Sequence, residues 1–85
     1  MDAVVYRFEV PVDDRWHEIP ACSTPLHVDC RDPRIVEFWA WRRDDLPAWH
    51  LRVYGTGQPI PDGTKYRGTA LAPGGHLVWH LIETL

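Results

Sequence analysis

Polar and apolar residues alternate along this chain in short runs, and Gly, Pro or Asp interrupts each run before a helix can form. A period of two puts successive side chains on opposite faces of an extended strand, whereas a helix needs apolar residues three and four apart. Residues 3–10 set Val4, Tyr6, Phe8 and Val10 against Val5, Arg7 and Glu9. Residues 15–19 form a short second run, and in residues 26–31 Leu26, Val28 and Cys30 alternate with His27, Asp29 and Arg31. Residues 35–42 are apolar on both faces, which marks a strand covered on both sides. Runs at 48–54, 65–71 and 76–83 complete the set, with Gly68 predicting a bulge or a close approach. The turns fall at Pro11 to Asp14, Asp32-Pro33, Asp44 to Pro47, and Pro73 to Gly75. About seven short strands with brief connections predict an all-β fold. The expected architecture is one domain over residues 1–85, a small antiparallel β-meander closed as a sandwich or barrel.

One connection is long: Gly55, Thr56, Gly57, Gln58, Pro59, Ile60, Pro61, Asp62 and Gly63. Its two prolines fix φ and remove two backbone donors, so it cannot be a ladder strand. Each proline also pushes the residue before it toward extended backbone. The product is a stiff, extended bridge with glycine swivels at its ends. Loops carry function more often than strands do, which makes residues 55–62 the first candidate binding site. The competing structural reading is a hairpin connection whose Ile60 plugs the end of the core. Polyproline-like backbone has three residues per turn, so Ile60 is expected to turn inward while Gln58 and Asp62 stand at the surface.

Composition narrows the function classes. At 45% hydrophobic and 25% charged, the chain is globular. A net charge of −3 gives no basic face for a phosphate backbone, so no nucleic-acid partner is expected. No apolar run approaches the ~20 residues of a membrane helix, and Met1-Asp2-Ala3 does not open like a signal peptide. A cytoplasmic compartment is the expectation.

The motifs YRFEVPVDD at 6–14, HEIP at 17–20, FWAW at 38–41, RVYGTGQPIP at 52–61, YRGT at 66–69 and LVWHLIE at 77–83 follow one another through nearly the whole chain. In that order they resemble a family of small phage and prophage proteins, a domain of unknown function common in actinobacterial phages. The resemblance implies a shared fold and a phage origin, and it implies no activity.

The reactive residue types suggest little chemistry. Cys22, His27 and Cys30 have a spacing that invites zinc, but strand alternation turns Cys30 inward and His27 outward, so no metal and no cofactor is expected. No Ser or Cys nucleophile pattern accompanies His80, which is expected to brace the long loop through hydrogen bonds. Five Trp exceed what a core of this size absorbs. Trp16, and Trp41 beside Arg42 and Arg43, are expected nearest the surface, where Trp with Arg composes an interaction patch; His80 joins that candidate patch. The function expected is non-catalytic: a phage-encoded accessory protein that binds a host or defence protein in the host cytoplasm, with a small virion component as the alternative. A homodimer through an exposed edge strand is the further expectation.

Overall fold

The protein, described here by a computed structural model over residues 2–84, contains seven strands. They are β1 (Val5–Pro11), β2 (His17–Ile19), β3 (His27–Asp32), β4 (Ile35–Trp41), β5 (Trp49–Gly55), β6 (Lys65–Leu71) and β7 (Val78–Thr84). Two antiparallel sheets form. Sheet A has the order β1-β4-β3 and sheet B the order β2-β5-β7-β6. The pair is a sandwich and does not close into a barrel.

The strand connectivity differs from a meander. Among sequential pairs, β3 with β4 and β6 with β7 are hydrogen-bonded neighbours, while β1 to β2, β2 to β3 and β4 to β5 switch sheets. The physical reason lies in β4: apolar on both faces, it is central in sheet A and recruits β1 from far back in the chain.

The core lies between the sheets. Val10, Cys30, Val36, Phe38 and Ala40 from sheet A meet Leu51, Val53, Ala70 and Leu81 from sheet B. Phe8 stacks on Phe38 with ring centroids 5.1 Å apart. Gly68 has φ 155°, and a Cβ there would overlap the Val28 side chain, so β3 and β6 approach as only glycine permits. One ion pair is enclosed with this core. Arg67 reaches Glu83 at 2.6 Å and lies over the Trp49 ring at 5.0 Å. Burial, and then the nearby Glu83 charge, push the Cys22 thiol up to about 11. Burial also raises the Cys30 thiol, so both free cysteines are protonated at neutral pH.

β5 and β6 both run antiparallel to β7, on its two sides. They are therefore parallel to each other. The connection 56–64 cannot be a hairpin; it carries the chain back along the sheet, from the Gly55–Trp79 pair to the Lys65–Glu83 pair. It is a strap.

Candidate functional site

The strap is anchored where it leaves β5. The Gln58 N–H donates to the Gly55 carbonyl at 3.1 Å, and the Gln58 side-chain oxygen accepts from the Gly55 N–H at 2.6 Å. Gly57 completes this turn at φ 94°. The Thr56 N–H donates to the Val78 carbonyl at 3.3 Å. At the far end the Thr64 hydroxyl donates to the Pro61 carbonyl at 2.9 Å. Between these anchors Pro59, Ile60, Pro61 and Asp62 are exposed.

Gln58 and Asp62 thus stand at the surface, and Ile60 does not turn inward. It keeps 38% of its surface exposed. The plug position is already filled, because the Trp79 ring lies against Gly55, where an added Cβ would sit 3.3 Å from Cζ3. The two Gly55–Gln58 bonds close a turn before Ile60 is reached.

His80 belongs to the strap. Trp79 and Leu81 pack on the core, so His80 between them faces outward. Its Nε2 lies 2.7 Å from the Thr56 hydroxyl and its Nδ1 lies 2.5 Å from the Tyr66 hydroxyl. Tyr66 also bonds the Thr69 hydroxyl. A Thr hydroxyl on an imidazole has the spacing of a nucleophile and its base. Here the opposite ring nitrogen meets a phenol where a charged carboxylate would hold an imidazolium. The half-buried ring, held between two hydroxyls, works as a brace that fixes the strap's first residue to β6 and β7.

Trp16 lands on the same outer face. Its ring meets Tyr54 edge-on at 6.1 Å, and Arg52 stacks over Tyr54 at 4.5 Å. Tyr54 stands opposite His80 in the β5–β7 register. The residues Trp16, Trp41, Arg42, Arg43 and His80 therefore do not form one patch. Trp16 and His80 go with the strap on sheet B. Trp41 stands at the end of β4 in sheet A, 40% exposed and opposite Val5.

Around Trp41 the surface is apolar and partly self-neutralised. Val4, Val5 and Tyr6 are exposed beside it, and Arg42 stacks on the Tyr6 ring at 5.3 Å. Arg42 pairs with Asp44 at 2.8 Å, and Arg43 with Asp45 through two bonds of 3.0 and 2.8 Å. Asp2, Ala3, Val4, Tyr6, Arg42 and Asp44 line a shallow groove of about 320 Å³.

The outer face of sheet A holds a second polar cluster that sequence reading missed. Glu37 is 5% exposed and accepts from Arg31 through both oxygens, with the Nη2 bond at 2.9 Å, and from Arg7 at 2.9 Å. Arg31 and then Arg7 hold its carboxyl below the ordinary range against the opposing effect of burial. A lone Glu inside the apolar run of β4 was the signal for it, since a buried charge must find partners.

His27 lies on this outer face, tilted against Trp39 at 5.8 Å, while Cys30 is buried in the core. The Cys22–His27–Cys30 spacing therefore does not converge, and among the described residues no three His, Cys, Asp or Glu side chains group to hold a metal. No helix among them is long and apolar enough to cross a membrane. No curated protein and no solved structure matches the chain. One family model matches residues 1–85, described as a domain of unknown function, DUF7352. The chain belongs to the DUF7352 family.

Proposed function

We propose that this chain is a phage-encoded accessory protein that works by binding a host or defence protein, with the strap as its contact surface. The observation that carries the reading is the exposed Pro59-Ile60-Pro61 segment, held by hydrogen bonds at both ends. A segment ordered before its partner arrives loses little conformational entropy on binding. Its chemistry suits one kind of partner, a groove lined with aromatic rings that accepts an extended, proline-fixed chain. Ile60 fills the groove, and Gln58 and Asp62 stand at its rim.

The test begins with the immobilised protein in lysate of an actinobacterial host. The captured protein is identified by mass spectrometry, purified, and titrated against wild type and Ile60→Ala. A loss of about tenfold or more, about 1.4 kcal/mol, supports the strap as the contact. Equal affinity for the two overturns it. Mass spectrometry of purified particles runs beside this. The chain present at high copy there replaces the host-binding reading with that of a virion component.

A further inference from the structure

The four free sheet edges are unequally protected. An open edge presents a row of N–H and C=O groups that another extended chain can pair with, and proteins blunt such edges with short strands, bulges, Lys or Pro. β2 is only three residues long. β3 carries an extra residue between Asp29 and Asp32, and β6 one between Tyr66 and Gly68. Such bulges break the ladder and twist the edge away. β6 also begins with Lys65.

β1 alone is long and regular, with seven consecutive pairs to β4 and no shift of register. Its direction of bonding is fixed at both ends. The Arg42 N–H donates to the Val4 carbonyl at 3.1 Å and the Val12 N–H donates to the Arg34 carbonyl at 2.8 Å. Even-numbered residues therefore bond to β4, and the N–H and C=O groups of Val5, Arg7 and Glu9 point to the open edge. Among the described residues they have no backbone partner there. Pro11 also faces outward, where its missing N–H costs nothing, and marks where the edge stops.

We propose that a second copy of this chain occupies that edge, with β1 pairing antiparallel to β1 so that Arg7 of each copy stands across from Glu9 of the other. Charge selects the register. Bonding through outward-facing groups matches odd-numbered residues with odd-numbered residues. The neighbouring registers put Arg7 across from Arg7 or Glu9 across from Glu9. Like charges directly opposite are destabilising and opposite charges stabilising, and only the register centred on Phe8 sets Arg7 against Glu9 twice. Both side chains lie on the solvent face with 45% exposure. Arg7 uses Nη1 alone for Glu9 and Glu37, so its remaining guanidinium donors are free for a carboxylate of the second copy.

About six new backbone hydrogen bonds form, with Pro11 acting as acceptor only. So narrow a contact makes a weak, reversible dimer whose sheet A continues through both copies. The strap belongs to the other sheet, so the dimer presents two straps and gains avidity for a repeated partner. The dimer itself does not rest on the strap's function.

Sedimentation equilibrium over a wide concentration range tests the proposal. Wild type is expected to self-associate to a dimer. Glu9→Arg sets arginines against arginines, and Arg7→Glu sets carboxylates against carboxylates, so each variant alone is expected to be monomeric. Their equimolar mixture restores both pairs and is expected to form a 1:1 dimer. Circular dichroism checks that each variant is folded. Arg7→Glu also brings a carboxylate to Glu37; if it does not fold, Glu9→Pro takes its place, since it removes an outward N–H at an edge that tolerates proline and must abolish the dimer. A wild type that stays monomeric throughout overturns the proposal. So does a dimer that survives the single variants, and so does a mixture of folded variants that fails to associate.

Discussion

Both sheets bury side chains on the face that points away from the core, and they do so by opposite means. Sheet B buries Tyr54 to 3% exposure and Ile82 to 1%. The cover of Tyr54 is built from an aromatic edge, Trp16, and a stacked cation, Arg52, and the strap is tied to this same face through His80. Sheet A buries Glu37 to 5% beneath Arg7 and Arg31, whose own side chains are 45% and 66% exposed. Apolar cover removes area from water and stabilises in proportion. Charged cover with exposed partners gains modest Coulomb energy, and water competes for it. Sheet B is accordingly a firm platform for the strap, and sheet A keeps a thin, polar exterior that can accept another strand.

Deleting the covered residue separates the two most sharply. Tyr54→Ala is expected to cost about 3–5 kcal/mol, the range for large buried aromatics, measured by urea unfolding. Trp16→Ala removes only a half-buried ring and should cost about 1–2 kcal/mol, a fall in melting temperature of about 4–16 °C for a domain this size. A Trp16→Ala protein that melts with wild type would mean that Tyr54 needs no cover.

Glu37→Gln attacks the other sheet and should lower the melting temperature by less than Trp16→Ala does, because both arginines can turn to water. Its signature is in the pH dependence. Glu37 has a folded pKa below its unfolded one. Its contribution is therefore complete above the ordinary carboxylate value, about 4.3, and is lost as pH falls through the lower folded value. The gap between wild type and Glu37→Gln should be widest near neutral pH and close in acid. A gap that stays constant from neutral pH to pH 3, ~1 unit below that ordinary value, would show that the ion pairs are not its source.

Alternation made the strands legible, and β6 begins and ends where its period-two run does. Turn residues located the breaks because their conformations are local. Strand order was not legible, because nothing local states which strand β5 pairs with. A hairpin and a crossover can share the same Gly/Pro sequence, and only the pairing of β5 and β6 on the two sides of β7 distinguishes them. The partners of His80 were hidden for the same reason, since Thr56 and Tyr66 lie 24 and 14 residues away. Tyr54 falls on the outward face of its period-two run, and the Trp16 ring that covers it comes from a segment distant in sequence.

The smallest expected effect is on the strap itself. Ile60 is 38% exposed, and the residues on both sides of it are exposed prolines. Ile60 belongs neither to the buried core nor to the hydrophobics packed against it, so truncating it opens no core cavity. Ile60→Ala should therefore change stability by no more than about 0.5 kcal/mol, the ordinary range for a surface substitution. The melting temperature should move by less than about 4 °C. A loss of about 2–4 kcal/mol would instead place Ile60 in a packed core and make the strap part of sheet B's cover, like Trp16. The smallness of the stability effect is what makes the variant useful. A substitution that leaves the fold unchanged and still weakens partner binding assigns the strap to recognition, whereas one that does neither leaves it as a connection between β5 and β6.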